Sequence, residues 1–275
     1  MRAFCLSFKY ALILSYEGYP FGGWQRQPEK AAPLPSIQGL LEDAVHRLTE
    51  EECSCVASGR TDAGVNAVGQ VVHFRTKKDL SDYSVLRALN TFLPATIRVL
   101  DVRRVDSDFH AQRSAIKKQY SYYWIQGKTR PAHHMTSAAL LPLEIKPEQI
   151  REALKFLEGK HDFKSFQAVG SKPNMSTERS ILSANFSEIP FGVPGELIDS
   201  NLKLYRLKLV GDGFLKQMVR SIAGTLLWVG EGRLKPSVIE EVLTKPDRQK
   251  IGPTAPPEGL WLEKVWYSED PFART

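Results

Sequence analysis

Apolar residues recur along this chain at two periods, and the switches between them divide it into short elements. Tyr10 to Tyr16 reads as a strand, and a Gly/Pro-rich turn and loop follow it as far as Pro35. Ser36 has the side chain of an N-cap. Beyond it Ile37, Leu40, Leu41, Ala44, Val45 and Leu48 recur at threes and fours, one stripe of a helix. A short strand near Cys55 to Ser58, a glycine-bounded loop and a strand through Gln70 to Arg75 come next. A helix starting near Ser81 carries Leu86, Leu89 and Phe92 and is stopped by Pro94, and Ile97 to Val105 closes this half as a strand.

The second half repeats that order. Gln119 to Gln126 is a strand, and Pro147 opens a helix with Ile150, Ala153, Leu154 and Leu157, ended by Gly159. Ser180 to Ile189 and Asn201 to Val210 read as strands, Phe214 to Val229 and Pro236 to Leu243 as helices, and Leu260 to Tyr267 as a last strand. The expectation is an α+β fold of two ferredoxin-like (β-α-β-β-α-β) halves with insertions, their sheets joined around a central basic cleft. Residues 1–112 form the half with the glycine-bounded loop, and residues 113–275 the half with the tyrosine-rich strand and the basic helix.

Composition narrows the class. Hydrophobic residues are 42% of the 275 and charged residues 25%, the balance of a folded globular protein. The formal charge of +6 hints at a polyanionic partner. Cys5, Cys53 and Cys55 are odd in number and form no C-x-x-C pair, so neither a disulfide framework nor a Cys-rich zinc site is expected, and a reducing cell interior fits. No apolar run reaches the roughly 18–20 residues of a membrane span. Met1 to Cys5 reads as weakly basic with no signal peptide behind it; a short organelle-targeting extension stays open.

Three stretches could carry chemistry. In Ala57 to Asn66, Gly59 and Gly64 bracket Arg60 and Asp62; this is either a polar strand connection or a loop shaped to approach a ligand. An arginine nearby favours the ionised carboxylate, and a carboxylate without a ligand cluster around it suits nucleophilic or base chemistry. From Arg113 to Arg130 five basic residues, Lys117 and Lys118 among them, interleave with Tyr120, Tyr122, Tyr123 and Trp124, with no acidic residue. Positive charge tracks phosphates and aromatic faces stack bases, though the run also reads as an ordinary strand. In Gly211 to Arg220, Lys216 and Arg220 fall together at one flank of the helix, as groups at the rim of a cleft or simply as solvated charges.

Taken together, and in order along nearly the whole chain, these stretches resemble the TruA family of tRNA pseudouridine synthases. The resemblance runs through Tyr16-Glu17-Gly18, Phe21 to Gln27, Ser36 to Gly39, Gly59-Arg60-Thr61-Asp62-Ala63-Gly64-Val65 and Gly69 to Phe74. It continues through Phe109-His110-Ala111, Tyr120-Ser121-Tyr122, Thr177-Glu178-Arg179, Gly213-Phe214-Leu215, Met218-Val219-Arg220 and Thr254 to Leu260. It implies that Asp62 is the catalytic aspartate with Arg60 beside it, that Tyr120 stacks in the active site, that Arg220 is a partner for Asp62, and that Leu260 packs beside the target base. The RNA-contacting set expected is Tyr120, Leu260, Phe109, His110, Arg113, Lys117, Lys118 and Lys216. It further implies uridine in the anticodon stem-loop, positions 38–40 of tRNA, as substrate, a cytoplasmic homodimer as the active unit, and no cofactor or metal. Asn66 stands where a histidine is common, and Gln112 where an arginine would follow Phe-His-Ala, with Arg113 next to it. The rival readings are a catalytically silent RNA-binding or tRNA-chaperone protein of the same fold, and an unrelated carboxylate enzyme such as a glycosidase, which would want a second acid opposite Asp62.

Overall fold

The structure, a computed structural model, describes residues 7–27, 33–168, 170, 176–190 and 202–273. The readings over Met1 to Cys5 and at Asn201, and part of the loop before Pro35, lie outside the described residues. In chain order the elements are β1 (Phe8–Tyr16), α1 (Ile37–Thr49), β2 (Val56–Ala57), β3 (Asn66–Thr76), α2 (Asp82–Phe92), β4 (Ile97–Val105), β5 (Ala115–Gln126) and β6 (Ala139–Leu141). They continue with α3 (Pro147–Leu154), β7 (Gly159–Asp162), β8 (Glu178–Ile189), β9 (Lys203–Gly211), α4 (Met218–Gly230), α5 (Val238–Thr244) and β10 (Leu260–Tyr267). The pairs β1–β3, β1–β4, β2–β3, β5–β9, β7–β8 and β8–β9 are antiparallel and β5–β6 is parallel, and the fold is α+β.

The chain divides into two compact units, Met1–Ile116 with Leu262–Thr275, and Lys117–Trp261. This corrects the division into 1–112 and 113–275: the C-terminal strand belongs with the first unit. The reason is strand pairing, because β10 lies beside β3. Gly69 on β3 has no side chain to hold the Glu263 backbone away, and the Tyr267 hydroxyl donates to the Ala111 carbonyl at 2.7 Å.

In the first unit the strand order is β4-β1-β3-β10, with β2 also on β3. Tyr10, Leu12 and Leu14 of β1 are fully buried, and the Tyr10 ring stacks on Phe74 across the β1–β3 pair at 5.5 Å. Helices α1 and α2 pack together and bury Ile37, Leu41, Val45, Val85 and Leu89. The Ser36 cap works as read, its hydroxyl accepting from the Gly39 N–H at 3.1 Å; Ser81, read only as the start of a helix, caps α2 in the same way, accepting from the Ser84 N–H at 3.1 Å.

In the second unit the order is β5-β9-β8-β7, with β6 parallel to β5. Leu207 and Leu209 of β9 are fully buried, and the Phe186 ring stacks on Tyr205 at 5.4 Å. Strands β6 and β7 add to the order read from the sequence; at three and four residues they are too short to display a period. Helix α3 ends at Leu154 rather than running to Gly159. Turn hydrogen bonds take over at Lys155 to Leu157, and Gly159, at φ 107°, opens β7 instead of capping the helix. Helix α4 begins four residues later than Phe214, because Gln217 sits in the left-handed region at φ 60° and interrupts the helical path.

Candidate active site

In the first unit Asp62 stands on the connection between β2 and β3, and buried polar bonds hold the backbone there. The Tyr16 hydroxyl and the Thr61 hydroxyl are 2.9 Å apart; Gln70 Nε2 donates to the Gly59 carbonyl at 2.8 Å and to the Tyr16 hydroxyl at 3.3 Å. Ser58 Oγ donates to Gln70 Oε1 at 2.7 Å, and the Trp24 N–H to the Thr61 carbonyl at 3.0 Å. Burial pushes the Tyr16 hydroxyl up to about 12 against the opposing pull of Thr61 and Gln70, so it stays protonated. Gly23, at φ 93°, and Gly18 let two neighbouring chain segments lie directly on the loop backbone, where any Cβ would collide. The Gly18 N–H donates to Asn66 Oδ1 at 2.8 Å, so the asparagine at the position where the family often has histidine is a fully buried anchor of this loop. Asp62 is half-buried and Arg60 exposed. Such a loop presents one carboxylate with little freedom to move, which suits attack on an electrophilic carbon or removal of a proton.

The sequence-read residues of the second unit gather around β5 and the segment 254–260. Tyr120 is buried on β5 opposite Leu209, and its ring meets Phe214 edge to face at 5.0 Å. Arg220 lies in the first turn of α4; its Nε donates to the Ala255 carbonyl at 2.8 Å, and the Ala255 N–H donates back to the Arg220 carbonyl at 3.0 Å. Leu260 is buried at the start of β10. Lys117 and Lys118 are half-buried at the start of β5; burial, helped by the Arg179 guanidinium, lowers the Lys118 ammonium to about 8. Arg179, of the Thr177-Glu178-Arg179 motif, lies against Gly213. Lys216 does not share a helix flank with Arg220. It precedes α4, is exposed, and its carbonyl accepts from the Ala168 N–H at 3.0 Å; the left-handed Gln217 separates the two.

Sequence reasoning missed how the segment carrying Leu260 is fastened. The Tyr122 hydroxyl donates to the Pro256 carbonyl at 2.7 Å, and the Tyr122 ring fills the space that a side chain at Gly259 would need. Arg130 donates to the Ala138 carbonyl at 2.5 Å and pairs with Glu258 at 3.0 Å. Burial, then the Glu258 carboxylate, raise the Tyr122 hydroxyl well above its usual range, while Arg220 and Arg130 draw it back. The charges of Arg220, Arg130 and Glu258 therefore surround one phenol. Tyr122→Phe keeps the ring and loses the bond. The expected cost is about 0.5–1.5 kcal/mol of stability in urea denaturation, with a larger loss if the Pro256 carbonyl stays dry. A variant as stable as wild type would contradict this fastening.

Phe109, His110 and Arg113 belong to the first unit, on the segment between β4 and β5. Phe109 and His110 are half-buried beside His73, and Arg113 is exposed.

The chain matches the sequence pattern described as tRNA pseudouridine synthase over residues 13–112 and 153–268. A protein named tRNA pseudouridine synthase A from Cereibacter sphaeroides is 39% identical over 269 residues, covering 97% of this chain and 99% of that one. Relatives of the same name from Bdellovibrio bacteriovorus and Myxococcus xanthus are 38% and 39% identical, over 95% and 96% of this chain and 96% and 94% of theirs. With the family pattern spanning both units and the glycine-bracketed aspartate loop in place, the chain belongs to the tRNA pseudouridine synthase family, the TruA family that its motifs resemble.

Proposed function

We propose that this protein isomerises uridine to pseudouridine in the anticodon stem-loop of tRNA, at positions 38–40, with Asp62 as the catalytic carboxylate. The observation that carries the reading is the Asp62 loop, fixed by Tyr16, Thr61, Gln70 and the close approach of Gly18 and Gly23. The reaction is atom-balanced within the nucleoside. The N1–C1′ bond breaks, the uracil turns, a C5–C1′ bond forms, the hydrogen on C5 leaves as a proton, and N1 takes up a proton. Asp62 serves this either by adding covalently to the nucleoside or by taking a proton from the sugar.

Arg60, Tyr120 and Arg220 complete the proposed catalytic set, and Leu260 packs beside the target base. Phe109, His110, Arg113, Lys117, Lys118 and Lys216 are the proposed RNA contacts, Lys216 as a single exposed charge and not as half of a helical pair. Both units follow one β-α-β-β-α-β plan in this reading; the order β1-α1-β2-β3-α2-β4 supports it in the first. The active unit is a homodimer and works in the cytoplasm. Among the described residues no helix is long and apolar enough to cross a membrane.

Extruding the uridine costs a few kcal/mol, and one stacking aromatic returns about 1–3. Tyr120→Ala is accordingly expected to lose about 1–3 kcal/mol in kcat/KM, and Tyr120→Phe, which keeps the ring, much less. Equal losses would assign the work to the hydroxyl. The reading as a whole is tested by mapping pseudouridine in tRNA from a strain lacking the gene. Pseudouridine should disappear from positions 38–40 and return with the wild-type chain but not with Asp62→Asn; an unchanged map would overturn it.

A further inference from the structure

In the second unit, Ser221, Gly224 and Thr225 fall three and four positions apart and make one stripe of small residues along α4. The segment after the single 3-10 turn Arg248–Lys250 is laid on that stripe. The Gly252 N–H donates to Thr225 Oγ1 at 3.1 Å, the Ser221 and Thr254 hydroxyls are 3.3 Å apart, and Ala255 bonds Arg220 through both its N–H and its carbonyl. The approach is so close that the Pro253 carbonyl occupies the place of a side chain at Gly224. Ser221, Thr225, Gly252 and Ala255 are buried, and Arg220 is half-buried.

Arg248 ties this segment to a second one. Its Nη1 donates to the Ser165 and Gln167 carbonyls, each at 3.1 Å, and its Nη2 donates to Thr254 Oγ1 at 3.2 Å. The neighbouring residue is anchored at the same place: the Asp247 N–H donates to Ser165 Oγ at 2.9 Å, and Ser165 Oγ donates to the Val242 carbonyl of α5 at 3.0 Å. Ser165 and Phe166 are buried, so the guanidinium is braced against the core. Three acceptors around one side chain use the fixed fork of a guanidinium, which a lysine ammonium does not have. These bonds point into the protein and not toward a phosphate.

Resting on the catalytic role read above for Arg220, we propose that Arg248 is a positioning residue for it: Arg248 fixes Thr254, and with Thr254 the Ala255 carbonyl that holds Arg220 Nε. A planar guanidinium whose Nε–H is held has little freedom to swing, so its terminal nitrogens keep one direction. Arg248 itself touches no substrate. Its removal therefore changes the rate of the chemical step and leaves tRNA affinity alone.

The test compares wild type with Arg248→Ala and with Thr254→Val, which keeps the side-chain shape and loses the hydroxyl that receives Arg248. Each is also combined with Arg220→Lys, which keeps the charge and lacks Nε. Single-turnover hydrogen release from a C5-tritiated tRNA transcript gives the chemical rate, a binding titration gives the affinity, and NMR of protein with labelled arginine follows exchange of the Arg220 Nε–H. Arg248→Ala should slow the chemical step by up to about a hundredfold at unchanged tRNA affinity. Its Arg220 Nε–H should exchange up to about tenfold faster. Thr254→Val should show the same two changes to a smaller extent, and it carries the test should Arg248→Ala fail to fold. In the Arg220→Lys background the rate loss should shrink severalfold, because the Nε that Ala255 holds is gone. An Nε–H exchange that neither variant changes, or a rate loss as large in the Arg220→Lys background as in wild type, would overturn the proposal. A wild-type chain that binds the transcript and releases no label would overturn the reading of the reaction, and the Nε–H exchange would still decide whether Arg248 holds Arg220.

Discussion

Asp62→Asn should form no detectable pseudouridine on a tRNA transcript while remaining folded and still binding the RNA. Asparagine has nearly the shape of aspartate but offers neither an anionic nucleophile nor a base. The bonds that shape the loop run through Tyr16, Thr61, Gln70, Ser58 and the Trp24 backbone, so they survive the exchange. Binding is expected to rest mainly on lysine and arginine contacts to phosphate, which a lost carboxylate does not weaken. Circular dichroism and a binding titration should therefore match wild type. Turnover within tenfold of wild type would remove Asp62 from the mechanism.

Gly18→Ala should lower both stability and turnover. A Cβ at Gly18 would stand about 2.5 Å from both the nitrogen and the carbonyl carbon of Val65, and these are backbone atoms that cannot rotate away. The Gly18 N–H is also tied to Asn66, so the segment has no easy retreat. Overpacking of this kind costs about 1–3 kcal/mol, and a displacement of about 1 Å at a reacting group costs roughly a hundredfold in rate. Urea denaturation and kcat should thus both fall. Gly22→Ala is the comparison, since its Cβ would meet the Leu34 carbonyl oxygen at 3.2 Å, a contact that a small shift relieves. Equal behaviour of the two variants would mean that the loop tolerates movement.

What could be read beforehand followed from how far apart the cooperating residues lie. The bounds of β4 and β10, the cap at Ser36 and the helix start at Ser81 are local patterns, and they stand where the sequence puts them. The aspartate loop was legible for the same reason, as a motif of adjacent residues. Its supports were not. Tyr16, Thr61 and Gln70 are spread over two strands and a loop, and Arg130 meets Glu258 across 128 positions, so neither network leaves a periodic trace. The late start of α4 had a local cause, the left-handed Gln217, but glutamine carries no sequence signal for that conformation. The last strand was read correctly as an element and assigned to the wrong unit, because pairing with β3 depends on the close approach at Gly69 rather than on chain order.

The most direct test of the central claim is hydrogen release from a tRNA transcript tritiated at C5 of uridine, under single-turnover conditions with enzyme in excess. Wild type should release the label from its target uridines in the anticodon stem-loop, and Asp62→Asn should bind the same transcript and release none. A wild-type protein that binds the transcript and releases no label would be a silent RNA-binding protein, and equal release by both proteins would place the chemistry on another residue.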